Sequence, residues 1–259
     1  MPHLARPCGA RIYYETKGKG IPLLLLAPGG MRSSFANFET HPYNPWNTLP
    51  ESKFQLIGMD QRFANRSTGT VRDGDGWHTF LADHIALLDH LNIKRCHVLG
   101  SCIGPSYAFQ LLRDHPSRFG RCVMLQPIGL TRHTTEPGAP WEGLNKHASW
   151  MWVGDWANEM VETGKCDDMN LLKGLHDRMF GPPRDFSFSV TRAEAAKIEH
   201  PLLILMGRDI FHPSKASREI ARICLKTELI EKWRDEGEEH LALASEKIES
   251  FLEADDLSS

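Results

Sequence analysis

Long hydrophobic runs are missing from this chain of 259 residues. No apolar stretch approaches the roughly 18 residues that a membrane-spanning helix needs. The N-terminus also lacks the apolar core that is typical of a signal peptide. We therefore expect a cytoplasmic protein that does not associate with a membrane.

An excess of charge of either sign is also missing. The 30 Lys and Arg residues nearly balance the 33 Asp and Glu residues, and the formal net charge is −3. No basic run and no basic patch with interleaved aromatic residues occurs in the chain. Because nucleic-acid binding depends on such patches, we expect a small-molecule substrate and no nucleic-acid partner. The formation of a homodimer stays open.

Metal-binding cysteine motifs are also missing from the chain. The six cysteines form no Cys-x-x-Cys pair and no zinc-binding pattern. Three of them, Cys96, Cys122 and Cys224, lie in apolar stretches and are predicted to be buried thiols. This usage fits a reducing compartment. We expect neither a metal ion nor a cofactor.

Short apolar segments alternate with amphipathic ones along the chain. Strands are predicted at 12–14, 22–27, 54–59, 96–99, 121–126, 202–206 and 228–233. Several are continuous apolar runs, which are typical of parallel strands that are buried on both faces. Apolar residues at helical spacing predict helices over 77–91 and 242–252. The alternation favours an α/β fold with a mostly parallel, doubly wound sheet.

The segment Gly-Ser-Cys-Ile-Gly at 100–104 lies between a predicted strand and a helix-like stretch. A tight turn with small flanking residues lifts the central side chain above the sheet, and the helix N-terminus that follows favours an anion. Cys102 is therefore predicted to be a nucleophile that favours its thiolate form. An inert buried thiol is the alternative interpretation.

Two further side chains complete a catalytic triad in the sequence. Asp209 follows the predicted strand at 202–206, and His240 ends the loop after the strand at 228–233. In this order the histidine takes the thiol proton, and the carboxylate orients the imidazole. His212, three residues after Asp209, is the competing histidine near these loops.

These motifs resemble those of the α/β-hydrolase superfamily over almost the whole chain. The likeness is closest to the small esterases and lactonases with a helical cap, and the Gly-x-Cys-x-Gly segment is similar to that of dienelactone hydrolase. The turn at 28–30 and the segment Asp-Gln-Arg at 60–62 support it. The chain departs from the usual pattern at Pro28, Phe63 and Cys102, where the family has His, Gly and, in most members, Ser. An engineered replacement of that serine stays open.

The resemblance implies a core of residues 1–126 and 197–259, with a helical cap at 127–196. Within the cap, Trp150 and Trp152 are candidates to line the substrate pocket. Asp60 and Arg62 are interpreted as structural residues that organise the loop after a strand.

The same resemblance implies an oxyanion hole made of two backbone N–H groups. Ile103, directly after the predicted nucleophile, is expected to supply one of them. Gly30 is the first choice for the other donor, and Met31 is the second.

Together these features predict a cysteine-dependent hydrolase of small apolar esters, lactones or thioesters that forms an acyl-enzyme. Carbon–carbon bond hydrolysis, acyl transfer or a lyase reaction at the same site stay open. So does a receptor-like binding module with little turnover.

Overall fold

The computed structural model describes residues 2–129, 146–181, 187–234, 237–255 and 257, and of 146–152 it describes only the backbone. Eight strands form one sheet in the order β1-β2-β4-β3-β5-β6-β7-β8. They span His3–Ala5, Arg11–Lys17, Ile21–Leu26, Phe54–Met59, Cys96–Ser101, Phe119–Leu125, Leu202–Leu205 and Thr227–Ile230. The contacts of β2 with β1 and β4 are antiparallel, and all other strand pairs are parallel.

Eight α-helices accompany the sheet in the described part of the chain. In chain order, α1 to α8 span Pro45–Thr48, Trp77–His90, Gly104–Asp114, Lys146–Glu162, Met169–Phe180, Arg192–Ala195, Ser214–Ile223 and Glu238–Glu253. The predicted strands, the two predicted helices at 77–91 and 242–252, and the helix-like stretch after Gly104 are present with shifts at their ends. The strand β1 and the helices α1 and α7 were not predicted. The sheet and its flanking helices confirm the α/β fold class.

The sheet is buried on both faces. Along β3, Leu24 and Leu26 join one apolar cluster, whereas Leu23 and Leu25 join the cluster on the other side. Successive side chains of a strand point to opposite faces, so a continuous run of leucines is what a sheet covered by helices on both sides requires.

Helices α4, α5 and α6 lie between β6 and β7, where the cap was predicted. Contacts tie this insertion to the core: Arg32 pairs with Glu159 at 2.8 Å, and Nε1 of Trp77 donates to the carbonyl of Met179 at 2.8 Å. The exact boundaries of a cap at 127–196 stay a prediction. Trp150 and Trp152 belong to α4, but their side chains lie outside the described residues.

None of the helices in the described ranges is both long and apolar enough to cross a membrane. All six cysteines are free thiols.

Candidate active site

Cys102 stands at the turn between β5 and α3, as the sequence predicted. Its φ of 59° lies in the left-handed region, which non-glycine residues rarely adopt. Its N–H donates to the carbonyl of Leu125 at 3.0 Å, and its own carbonyl accepts from the N–H of Ile128 at 3.1 Å. These bonds hold a strained backbone in place, and strain of this kind is common at functional sites.

The glycines on both sides of Cys102 are sterically required. A Cβ atom on Gly100 would lie 2.5 Å from the carbonyl carbon of Gly104, and one on Gly104 would lie 2.4 Å from the backbone oxygen of Leu26. Both distances are far shorter than a van der Waals contact. The missing side chain of Gly100 therefore lets α3 begin close to the end of β5, and that of Gly104 lets it pass close to β3.

Asp209 and His212 share the loop between β7 and α7. Oδ1 of Asp209 accepts from the backbone N–H of Phe211 at 3.0 Å and from that of His212 at 2.9 Å. The same carboxylate lies 2.8 Å from Nδ1 of His212. Gly207 allows the tight return of this loop, because a Cβ there would lie 2.3 Å from the carbonyl oxygen of His212. One local turn therefore positions both the acid and the imidazole.

The electrostatics of this loop favour a charged pair. Burial alone would lower the pKa of His212, but the charge of the Cys102 thiolate and the contact with Asp209 outweigh it and raise this pKa to about 9. Burial would raise the pKa of Asp209, but His212 and Arg234 hold it well below its usual range. With Asp209 on Nδ1, the other ring nitrogen of His212 is left for the thiol. Nε2 of His212 is buried and makes no hydrogen bond of full geometry with the described residues.

A cavity of about 280 Å³ opens at this point. Its lining residues are Pro28, Gly29, Cys102, Gln126, Ile128, Phe211 and His212. A larger groove of about 770 Å³ reaches Phe119 and Pro201 at the opposite ends of the strands and contains none of these residues. Of these two cavities, the smaller one is lined by both the Cys102 thiol and the His212 imidazole.

The oxyanion candidates lie next to this cavity in the chain. Gly30 and Met31 open a short 3-10 helix after Gly29, which lines the cavity with a φ of 115°. Ile103 directly follows Cys102 and is fully buried. Among the described residues the backbone N–H groups of Gly30, Met31 and Ile103 make no hydrogen bond. Their role as oxyanion donors stays a prediction.

The expected pairing of Asp209 with His240 differs from the contacts that the structure describes. The side chains on Asp209 are His212 and Arg234, the latter through Nη2 at 3.1 Å. His240 lies in the first turn of α8 and is partly exposed. The sequence order of the family pointed to the loop after the last strand, whereas here that loop places an arginine on the carboxylate. A catalytic role for His240 stays a prediction.

Three residues that no sequence motif indicated, Arg234, Gln126 and His41, make contacts around the site. Arg234 also donates through Nη1 to Oε1 of Gln126. His41 lies with Nε2 at 2.7 Å from the hydroxyl of Ser101, directly before the predicted nucleophile. Burial lowers the pKa of His41 to about 4, so this imidazole is neutral. Its Nδ1 lies 2.8 Å from the carbonyl of Tyr43 and donates to it, which leaves Nε2 to accept from the Ser101 hydroxyl. The Asp-x-x-His spacing at 209–212 is a local signal that indicates His212. No local pattern in the sequence indicates Arg234, Gln126 or His41.

Asp60 and Arg62 make the structural contacts that their interpretation implied. Asp60 accepts from Ser34 Oγ at 2.8 Å and from Nε of Arg66 at 2.8 Å. Arg62 donates through two nitrogens to buried Asp83, at 2.8 and 2.6 Å. Both residues hold loops together, away from the cavity. The described ranges contain no group of three or more His, Cys, Asp or Glu side chains arranged around a metal site.

The sequence matches the family model described as alpha/beta hydrolase fold over residues 22–176. It is 25% identical over 134 residues to a 2-hydroxy-6-oxo-6-phenylhexa-2,4-dienoate hydrolase of Comamonas testosteroni. That alignment covers 51% of this chain and 45% of the relative, so the matched part is less than half of the relative's length.

Two solved structures resemble the whole chain. One is a meta-cleavage product hydrolase from Pseudomonas fluorescens IP01, with a TM-score of 0.67, 18% identity and coverage of 98% of both chains. The other is an esterase from Exiguobacterium antarcticum, with a TM-score of 0.66, 17% identity and coverage of 97% of this chain and 98% of the esterase. At these identities the likeness shows the fold alone. From the family match and the sheet, this chain belongs to the α/β-hydrolase fold family.

Proposed function

We propose that this chain is a cysteine-dependent hydrolase of small apolar esters, lactones or thioesters. One observation carries the proposal: Cys102 and His212 line the same cavity, and Asp209 holds the imidazole from the other side. This is the arrangement of a nucleophile, a base and an orienting acid that acyl transfer requires. The proposed triad is therefore Cys102, His212 and Asp209, with His240 as the competing histidine.

The proposed reaction has two halves. The Cys102 thiolate attacks the carbonyl carbon, and the tetrahedral intermediate collapses as the bond to the leaving group breaks. The imidazolium of His212 gives its proton to the departing alkoxide or thiolate, leaving a thioester on Cys102. Neutral His212 then takes a proton from water, the hydroxide attacks the thioester, and the acid leaves with the thiolate restored.

Stabilisation of the oxyanion is assigned to backbone N–H groups. Ile103 follows the nucleophile at the start of α3, and Gly30 and Met31 stand on the neighbouring turn. None of these N–H groups is engaged within the described residues, so each is free to donate. Removal of one such donor typically costs about 100- to 1,000-fold in kcat, so two convergent donors would supply a large part of catalysis.

The cavity favours a small and largely apolar acyl group. Pro28, Ile128 and Phe211 are the apolar side chains in its lining, and its volume of about 280 Å³ is at the low end for ligand pockets. A thioester intermediate forms readily only when the leaving group is a reasonable one. Esters, lactones and thioesters are therefore better candidate substrates than amides.

Hydrolysis of a carbon–carbon bond is the second candidate. The relative from Comamonas testosteroni and the structure from Pseudomonas fluorescens are both named as hydrolases of such dienoate or meta-cleavage products. In that reaction the same nucleophile or an activated water attacks a ketone, and the leaving group is a stabilised carbanion. Analysis of the products by mass spectrometry separates the two candidates, because only the second shortens a carbon chain.

The proposal is tested by steady-state hydrolysis of p-nitrophenyl butyrate together with intact-protein mass spectrometry. We expect repeated turnover by the unmodified protein, a butyryl thioester on Cys102 after rapid quenching, and loss of both in Cys102→Ala. A single equivalent of p-nitrophenol without further release would instead indicate a binding module. Cys102→Ser is the matched variant, and we expect it to be slower. A faster serine variant would show that the site suits a hydroxyl nucleophile.

A further inference from the structure

Gln126 has an unusual backbone at the edge of the active-site cavity. It directly follows β6 and adopts a φ of 39°, in the left-handed region, although it is not a glycine. Its N–H donates to the carbonyl of Leu205 at 2.8 Å, which ties this turn to the end of β7. Non-glycine residues in such conformations are strained and cluster at ligand sites. The turn therefore directs one particular side chain toward the cavity.

Arg234 fixes the orientation of that side chain. Its Nη1 donates to Oε1 of Gln126, and its Nη2 donates to Oδ2 of Asp209 at 3.1 Å. A guanidinium has donors only, so the amide must present its oxygen to Arg234 and its nitrogen to the opposite side. Asp209 and Gln126 are therefore held by one rigid planar group.

The amide nitrogen of Gln126 has an unused hydrogen-bonding capacity. Within the described part of the chain it makes no hydrogen bond, and Gln126 is among the residues that line the cavity. Apart from Cys102 and His212, the remaining lining residues are Pro28, Gly29, Ile128 and Phe211, none of which has a polar side-chain atom. Nε2 of Gln126 is thus the side-chain donor that this lining offers in addition to the catalytic pair.

We propose that Gln126 is a specificity-determining residue that donates its amide N–H to an oxygen in the acyl part of the substrate. Gln126 directly follows Leu125, whose carbonyl accepts from the N–H of Cys102 at 3.0 Å, so the amide lies near the nucleophile and reaches an oxygen close to the scissile carbonyl. The preferred substrates are therefore 2-alkoxy or 2-oxo acyl esters rather than plain alkanoyl esters. This inference rests on the proposed function, because it names the acyl group that the same site takes.

The test uses two esters of the same shape, p-nitrophenyl methoxyacetate and p-nitrophenyl butyrate, which differ by an oxygen in place of a methylene. The measured quantity is the ratio of kcat/KM for the methoxyacetate to kcat/KM for the butyrate. When this ratio is compared between the unmodified protein and a variant, the difference in intrinsic reactivity of the two esters cancels. We expect Gln126→Leu to reduce this ratio about 10-fold relative to the unmodified protein, which is the contribution of one buried hydrogen bond. An unchanged ratio would overturn the inference.

Gln126→Glu serves as the matched variant. Its carboxylate still accepts from Arg234, but it has no N–H for the substrate, so we expect at least the same loss of preference for the methoxy ester. Retention of the preference in this variant would assign the effect to the support of Arg234 and contradict a donor role. It also keeps the inference testable if the leucine variant does not fold.

A second readout separates this inference from the proposed function. Methoxyacetone and 2-pentanone form a matched pair of unreactive ketones, and their protection of Cys102 against iodoacetamide needs no turnover. We expect methoxyacetone to protect at lower concentration in the unmodified protein and the two ketones to protect equally in Gln126→Leu. If no ester is hydrolysed but this difference is present, the hydrolase proposal fails and the subsite stands. Equal protection in the unmodified protein would remove the subsite.

Discussion

His212 and Asp209 face each other across one turn of a single loop, with Nδ1 of the imidazole 2.8 Å from Oδ1 of the carboxylate. The carboxylate also accepts the backbone N–H of His212 at 2.9 Å, so the side chain and the main chain are anchored together. The acid and the base of the proposed triad are thus positioned by local geometry. The loop after β8 contributes Arg234 to the same carboxylate.

The first prediction concerns the choice between the two histidines. We expect His212→Ala to lower kcat/KM for p-nitrophenyl butyrate by about 100- to 10,000-fold, the usual contribution of general acid–base catalysis. His240→Ala is the matched control. We expect its kcat/KM to stay close to that of the unmodified protein, because Asp209 orients the imidazole of His212. A larger loss in His240→Ala would restore the assignment that the order of the motifs favoured.

The second prediction concerns the reactivity of the thiols. We expect brief treatment with iodoacetamide near neutral pH to label Cys102 fastest, because Cys102 lines the active-site cavity together with His212, which can take the thiol proton. Cys8 is the expected second site. Burial would raise its pKa, but a bond with the backbone of Ala10 and contact with Arg62, whose Nη1 lies 3.2 Å from Sγ, lower it overall.

The buried thiols provide the negative control for that experiment. Burial raises the pKa of Cys96 and of Cys224 to about 12, so both should stay unlabelled. Peptide mapping in His212→Ala should show slower labelling of Cys102 and unchanged labelling of Cys8. If Cys102 reacts no faster than Cys8 in the unmodified protein, the thiol at the turn is not activated.

The third prediction is a dependence of stability on pH. The pKa of His212 is about 9 in the folded protein, against an ordinary value of 6.5, so the folded state binds the proton more tightly. The resulting stabilisation, on the order of 3 kcal/mol, is fully present below about pH 6.5 and is lost as the pH rises through about 9. Denaturant unfolding of the unmodified protein and of His212→Asn should therefore converge at high pH.

Cys102→Ala sharpens this measurement. Since the thiolate charge is one cause of the raised pKa of His212, its removal should move the loss of stability to lower pH. An unchanged pH window in Cys102→Ala would mean that Asp209 alone supports the imidazolium, and the thiolate–imidazolium pair would then be rejected.

The fourth prediction concerns the turn itself. We expect Gly104→Ala to lower the free energy of unfolding by about 1–3 kcal/mol, because its Cβ would lie 2.4 Å from the backbone oxygen of Leu26. Gly76→Ala is the matched control, since the nearest atom to a Cβ there is 3.5 Å away. Thermal unfolding of the two variants measures the difference, and equal melting temperatures would show that β3 and α3 can move apart.

Much of the fold follows from local patterns. The leucines of β3 and the apolar run of β7 predict buried parallel strands, because such strands need apolar side chains on both faces. The turn at Cys102 was also predictable from a local pattern. Glycines at 100 and 104, between a strand and a helix, are what so tight a turn requires. The ends of the strands and the existence of β1 could not be predicted, because short segments acquire their structure from the strands beside them.

The amino-acid sequence by itself thus determined the class of the fold, the nucleophile candidate and the acid candidate, since each depends on residues adjacent in the chain. Only the tertiary structure shows which side chains surround Asp209 and the cavity. It places the imidazole of His212 at 2.8 Å from Asp209, which makes His212 the proposed base. Gln126 and Arg234 meet because the order of the strands brings the ends of β6, β7 and β8 side by side, and no pattern along the chain encodes that distance.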